Sequence, residues 1–417
     1  MAPSCYTALA ILLLAGPPHA RSDALTLEQA VALGLERAPQ LQVQSAAVDS
    51  ARAESIAAGR LPDPELLLAL DNVRATGADA WSLDRDIMTM RKVGVMQAFP
   101  NRAKRASQRS RAGAAVSLAE SESRQAELMI ARSTAASWVE VYSAEFVLEK
   151  LHAVKQEVQL QAQATRTALA SGRGSAVDAI TAQGAISELD DRILQAEGAV
   201  QAARAELTRW IGDDDARRSF ASAPALMELP LSRNKLLSSL DQQAPLLTFE
   251  SQLALARSEV DLARAQKRPD WSAQLAYAKQ GITQSNLVSL EFRVGLPLFS
   301  RSRQDPVISA RRAELVEIEA ERDVVLRAQA AAVTAQLAIW DAARQRIELY
   351  EKERLPLARQ RSQAAVAGFR AGRIDLLDVL ASHVAEIEIH HSHAALIKEL
   401  GQAWVFLRYL QPEQLSP

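Results

Sequence analysis

Four of the six histidines in this 417-residue chain fall within one short stretch, His383, His390, His391 and His393, with Glu386 and Glu388 between them. On a helix Glu386 and His390 are four residues apart and His390 and His393 three, so these side chains share a face, with Asp378 on roughly the same side. Imidazole nitrogens and a carboxylate at that spacing are a ligand set for a borderline divalent ion, zinc or cobalt. The plainer reading is that of exposed histidines on a wet helix, and it is preferred; Glu386, His390 and His393 stand as candidate ligands. Other chemistry is not encoded. The run Asp213-Asp214-Asp215 after Gly212 lacks the interleaved ligands and downstream Glu of a calcium loop and reads as a turn at a helix end. Walker loops, dinucleotide fingerprints, nucleophile elbows and zinc-protease signatures are absent. No enzyme and no cofactor are expected.

The elements that position these residues follow from composition. With 48 Lys and Arg against 50 Asp and Glu, the charge balance excludes a basic field for nucleic acid. Aromatics are 5% of the chain, with 16 glycines and 16 prolines; Ala, Leu, Gln, Glu and Arg dominate, which favours long helices over a compact α/β enzyme. Residues 1–22 read as an export signal. The apolar stretch Ala8 to Gly16 is followed by Pro17, Pro18 and small residues, too short for the roughly 20 residues that span a bilayer. The one cysteine, Cys5, precedes that stretch, so no lipidated cysteine and no disulfide are expected in the mature protein. No later segment reads as a transmembrane helix, so any membrane contact falls to strands.

The chain is internally duplicated. Ala38-Pro39-Gln40-Leu41 matches Ala244-Pro245-Leu246-Leu247, Leu61-Pro62-Asp63 matches Arg268-Pro269-Asp270, Phe99 matches Phe299, and Ser171-Gly172-Arg173-Gly174 with Asp178 matches Ala371-Gly372-Arg373-Ile374 with Asp378. The first repeat covers 23–213, a linker 214–243, the second repeat 244–410 and a tail 411–417. Each repeat opens with a helix, the first from a capping box at Thr26 and Gln29 to about Arg60. A strand pair follows, about 64–98 and about 270–298. A long helical hairpin closes each repeat, about 102–211 and about 301–410, turning at Gly172 and Gly372. Roughly 70 helical residues at 1.5 Å rise span about 100 Å and need partners along their length. Trp210 and Trp404 occupy matching positions and are expected to pack against helices.

In the strand pairs the period changes from 3.6 to 2. Val288, Leu290, Phe292, Val294 and Leu296 alternate with Ser289, Glu291, Arg293 and Gly295, and Trp271, Ala273, Leu275 and Tyr277 alternate with Ser272, Gln274 and Ala276. In the first repeat Leu66, Leu68 and Leu70 alternate, whereas Met88, Met90, Lys92, Val93 and Val95 mix the faces. A two-faced sheet suits a helical core or the boundary between lipid and water. Four strands cannot close a membrane barrel, but three copies supply twelve.

The order of Leu25-Thr26-Leu27-Glu28-Gln29-Ala30-Val31, Arg60-Leu61-Pro62-Asp63-Pro64, Gly94-Val95-Met96-Gln97-Ala98-Phe99-Pro100-Asn101-Arg102, Gly295-Leu296-Pro297-Leu298-Phe299 and the two tip segments resembles the TolC-type outer-membrane efflux proteins. Within that family the Gly94 to Arg102 and Gly295 to Phe299 stretches are most similar to outer-membrane members of heavy-metal efflux systems. The resemblance implies a mainly α fold with a small β part: a homotrimer with a twelve-stranded barrel in outer-membrane lipid and a periplasmic α-barrel of long hairpins. It implies a periplasmic adaptor and an inner-membrane resistance-nodulation-division pump as partners, with the duct conducting passively.

The resemblance also assigns roles at the tips. Gly172, Gly174, Gly372 and Ile374 would form the adaptor-docking turns at the periplasmic entrance. Asp378 would face the lumen, three copies making a constricting carboxylate ring that favours cations; a carboxylate stabilising a helix N-terminus is the local alternative. Independently of the resemblance, Asp178, the duplicate of Asp378, is expected to pair with a neighbouring Arg such as Arg173 or Arg373, a link between hairpins that would hold the entrance shut. Heavy-metal cations are the expected cargo, organic drugs or a type I secreted polypeptide the alternative, and a soluble coiled-coil scaffold the rival of another class.

Overall fold

A computed structural model describes residues 24–172, 175–221, 225–281 and 284–412. The expected export signal, Arg173, Gly174 and most of the tail lie outside these residues. The chain begins with the two-residue strand β1 (Ala24–Leu25) and helix α1 (Leu27–Arg37). Thr26 caps α1 reciprocally: its hydroxyl accepts from the Gln29 amide at 3.1 Å, and the Gln29 side chain accepts from the Thr26 amide at 3.3 Å. The helix does not run on to Arg60. It stops at Ala38, whose ψ is 113°, because a proline ring disfavours helical backbone in the residue before it. Pro39 then opens α2 (Pro39–Ala57) at a first-turn position, where its missing N–H costs nothing.

Strands β2 (Glu65–Asp71) and β3 (Met90–Phe99) lead into α3 (Arg102–Ala170), 69 residues long, and α4 (Ala176–Ile211) returns beside it. A connecting segment carries α5 (Asp213–Ala216), β4 (Ser219–Phe220) and α6 (Arg233–Ser238). The second half supplies α7 (Phe249–Ala265), β5 (Trp271–Gln280), β6 (Leu287–Val294), α8 (Ser300–Leu349), α9 (Leu355–Arg370) and α10 (Leu376–Arg408). A π-helical turn, Tyr350–Arg354, joins α8 to α9 just ahead of Pro356. Proline cannot supply the next helical N–H, and the wider turn shifts the bonding register without breaking the rod.

The duplication is visible in the packing. Trp138 on α3 donates its indole N–H to the Leu25 carbonyl at 3.2 Å, and Trp340 on α8 donates to Leu226 at 2.9 Å. Both rings are buried in one apolar cluster with Leu207, Ile211, Leu400, Leu407 and Leu410. There β4 pairs with β1 in parallel, tying the connecting segment to the chain start. Trp404 is buried and donates to Glu228 at 2.9 Å, while Trp210 packs against the same cluster. The aspartate run is structural: Asp215, 7% exposed, is held by Arg37 at 2.8 Å and Arg218 at 3.2 Å.

Side by side, α3 packs between α2 and α7 on the sheet side of this cluster, and α7 packs on α8; on the other side α3 packs between α4 and α10, and α10 against α8 and α9. Each level is thus a layer four helices wide. Ion pairs stitch the neighbours: Glu259 of α7 lies 3.1 Å from Arg111 and 3.2 Å from Arg311, and Arg192 of α4 lies 2.8 Å from Glu388 of α10. At the far turn Gly372 has φ +67°, donates to the Phe369 carbonyl at 2.9 Å, and is followed by Arg373 donating to Gly368 at 2.9 Å. That left-handed helix end favours glycine. Gly172, at φ +71°, ends α3 in the same way.

The strands form one antiparallel sheet in the order β2-β3-β5-β6, so the central pairing, β3 with β5, joins the two repeats. The register aligns Leu66, Val95, Leu275 and Leu290 in one row and Leu68, Val93, Tyr277 and Val288 in the next. All eight are 45–71% exposed. The opposite face carries rows such as Glu65, Met96, Gln274, Glu291 and Leu67, Gly94, Ala276, Ser289. Lys92, which obscured the pattern of β3, points to this second face and pairs with Asp71. Gly94 is required there, since an added Cβ would lie 2.7 Å from the Cβ of Ala276.

The strand-to-helix junction rests on Asp270. Asn101 donates to its carboxylate from the backbone at 2.7 Å and from the side chain at 2.9 Å, and Lys104 lies 2.8 Å away. The Asn101 side-chain oxygen Oδ1 also caps α3 by accepting from the Lys104 amide at 2.8 Å, and Phe99 stacks on Trp271 with centroids 4.2 Å apart. Burial alone would raise the Asp270 pKa, but the bonds from Lys104 and Asn101 outweigh it and hold the carboxyl below the usual range. A lowered folded-state pKa contributes stability above the unfolded value, near 3.9, that is lost as pH falls through the folded one. With the carboxylate 40% exposed, Asp270→Asn is expected to cost only about 1–2 kcal/mol at neutral pH. Urea unfolding of detergent-solubilised protein measures this: the two midpoints should converge below about pH 4, and equal midpoints at pH 7 would contradict the role.

Candidate functional site

At the hairpin tips, Asp178 is the third residue of α4 and Asp378 the third residue of α10, each in a first helical turn. Unpaired amides there stabilise a carboxylate. Asp378 and Arg373 are exposed and Asp178 is half-buried. Ile374 folds back on Gly368, where an added Cβ would meet its Cγ1 at 3.2 Å. Among the described residues no ion pair joins Asp178 or Asp378 to a cation of the same chain; the expected partner Arg173, with Gly174, lies outside them. The tips therefore present two carboxylates and Arg373 to whatever abuts them.

Higher on α10 the histidines are not on a wet face. His383 is 3% exposed, Glu386 5% and His393 5%, and His390 is half-buried; only His391 is exposed. The preferred reading of the sequence is corrected here, because α10 is packed on three sides by α3, α8 and α9. The three candidate ligands also separate. The His390 Nε2 lies 3.9 Å from Glu386, but His393 turns to Glu351 at 3.6 Å, edge-on to Phe146 and stacked with Tyr350 of the π turn. Burial pushes the His390 and His393 pKa values down, outweighing Glu386 and Glu351, so both imidazoles are neutral at pH 7. Glu386 instead groups with His383 and with Glu157 of α3. Nothing in the sequence pairs Glu157 with a residue 226 positions later (383 − 157); only the packing of α3 on α10 does.

At the other end lies the two-faced sheet. No helix among the described residues is long and apolar enough to cross a membrane, which says nothing of strands. One sheet face carries an apolar field, from Leu66 and Leu68 through Val93 and Val95 to Leu275 and then Leu290 and Phe292, bordered by the row in which Leu70 meets Arg91 and Lys279. Among the described residues, both outer edges, on β2 and β6, lack partners.

Comparison with known proteins agrees with this arrangement. The family model described as "Outer membrane efflux protein" matches residues 31–213. The cobalt-zinc-cadmium resistance protein CzcC of Cupriavidus metallidurans is 27% identical over 224 residues, 52% of each chain, so the match spans about half the length of that curated relative. Among solved structures, a membrane protein from Pseudomonas aeruginosa superposes with TM-score 0.78 at 16% identity, covering 92% of this chain and 89% of that one. CusC gives TM-score 0.75 at 14% identity over 91% of each chain. VceC of Vibrio cholerae gives 0.75 at 20% over 91% of this chain and 95% of that one. With a helical hairpin and two strands from each repeat, a match to the outer membrane efflux protein family over 31–213 and the fold of these membrane proteins along nine-tenths of its length, the chain resembles the TolC-type outer-membrane efflux proteins.

Proposed function

We propose that three copies close their sheets into a twelve-stranded outer-membrane barrel whose bore continues between the long helices. The observation that carries this is a four-stranded sheet with an exposed apolar face and two unpaired edges. In lipid each unpaired edge group costs several kcal/mol, and only closure removes edges. The assembled protein is a passive exit duct of a tripartite efflux system. A periplasmic adaptor docks at the tips, and an inner-membrane resistance-nodulation-division pump supplies the gradient. Heavy-metal cations are the proposed cargo, supported by the similarity to CzcC and by the exposed Asp378, three copies of which would ring the entrance and favour cations. Arg373 of one hairpin, paired with Asp178 of another, would latch that entrance.

The repeat gives the seam its register. Asp63 and Asp270 correspond, so Leu68 matches Leu275 and their partners Val93 and Leu290 match as well. Tyr277 faces Val93, and by the same relation Leu70 of one protomer faces Leu290 of the next. Opposed residues on antiparallel strands have Cβ atoms about 5 Å apart. The double variant Leu70→Cys, Leu290→Cys should therefore be joined to a covalent trimer by a short bifunctional thiol reagent. Monomer alone after treatment would refute the seam.

Conduction is tested in planar bilayers. Wild-type protein should form cation-preferring pores, and Asp378→Asn should move the reversal potential in a salt gradient toward zero without abolishing the pore. Protein that never yields a pore would refute the duct, and an unchanged reversal potential would remove Asp378 from it. For cargo, a deletion strain should become sensitive to zinc, cobalt or cadmium salts; sensitivity to organic compounds alone would replace metal by organic cargo.

A further inference from the structure

We propose that Glu157, His383 and Glu386 form a resident divalent-metal site that fastens α3 to α10 within each chain. One donor atom from each of the three lies within 4.8 Å of the others. His383 and Glu386, three residues apart, share a face of α10, and Glu157 reaches them from α3, so the site joins the two repeats. Its most telling feature is unsatisfied polarity. Neither ring nitrogen of His383 has a hydrogen-bond partner, and neither does Glu386 Oε2, although both residues are more than nine-tenths buried. Buried polar side chains almost always find partners, and two neighbouring ones that do not call for an absent ligand.

The donor chemistry selects the ion. One imidazole and two carboxylates suit zinc or cobalt, whereas magnesium and calcium require six or more oxygen ligands. Ligands about 2.1 Å from zinc stand roughly 3.5 Å apart in a tetrahedron, so the present cluster must contract by about 1 Å. The side chain of Glu157, 62% exposed and already 3.8 Å from His383 Nδ1, is free to supply that movement. Glu386 Oε1 faces His390 Nε2 at 3.9 Å, leaving Oε2 for the metal. On the side of the exposed Glu157 side chain solvent can supply a water as the fourth ligand.

This ion is not cargo, because its ligands lie between packed helices of one chain. His383 is seven residues past the start of α10 at Leu376, about 10 Å along the helix. Occupancy therefore braces the wall just behind the tips. The site stands whatever the duct carries.

The test uses full-length protein in detergent, stripped with a chelator and titrated calorimetrically with zinc, then with magnesium. Wild type is expected to bind one zinc per chain and no magnesium at the same concentrations. Amide exchange should slow around residues 151–161 and 378–390 when zinc is added. Glu157→Gln, on an exposed side chain, and His383→Gln should each weaken zinc at least tenfold, while His391→Ala, on the exposed face, should not. Glu157→Gln keeps the test sound even where His383→Gln fails to fold. Absent zinc binding by wild type, or binding that Glu157→Gln leaves unchanged, would overturn the site. Zinc binding by protein that forms no pore would leave this site standing while refuting the duct.

Discussion

The open edges of a four-stranded sheet govern everything else in this molecule. β2 and β6 each end the sheet with a row of backbone amides and carbonyls that no other strand among the described residues pairs. In water such edges invite aggregation, and in hydrocarbon they are intolerable. The exposed leucines and valines of one face make water the wrong solvent for that face, and the polar and small residues of the other make lipid the wrong solvent for it. Closure with identical neighbours satisfies both faces and both edges at once. The layer of four helices at each level below the sheet follows the same arithmetic, so a ring that closes the strands also closes the helices.

Rigidity is distributed to suit that geometry. Where strands become helices, Asn101, Lys104 and Asp270 lock β5 to the start of α3, and the Phe99–Trp271 stack seals the same corner. Midway, Trp138 and Trp340 hold equivalent carbonyls, Leu25 at the chain start and Leu226 in the connecting segment, inside the largest apolar cluster. Beyond that cluster the helices are tied mainly by their own packing and by side chains such as Arg192 and Glu388. The tips end in glycine turns with exposed charges. Local opening concentrates where few apolar contacts hold the chain, and the tips are such a place. A metal between Glu157, His383 and Glu386 would add a bond at the point where packing thins.

Much of this was legible in the chain itself. The Thr26–Gln29 capping box, the period-two alternation of Leu287–Val294 and the glycines at both tips each encode local geometry, and each forms as read. Period-two reading faltered in β3, because Lys92 and Gly94 occupy the face opposite the leucine rows for reasons set by partners: an ion pair with Asp71 and close contact with Ala276. The break at Ala38 was signalled by Pro39, yet a continuous helix was expected across it. The burial of His383 and His393, their separation onto Glu157 and Glu351, and the pairing of β3 with β5 across the repeats depend on contacts between distant segments. Helical spacing within α10 carries no trace of them.

Imaging purified, detergent-solubilised protein by electron cryomicroscopy addresses the closure most directly. Particles with a threefold axis, in which β6 of each chain pairs with β2 of the next to complete twelve strands, are the predicted result. Particles without threefold symmetry, or sheets whose outer edges remain unpaired, would contradict the account.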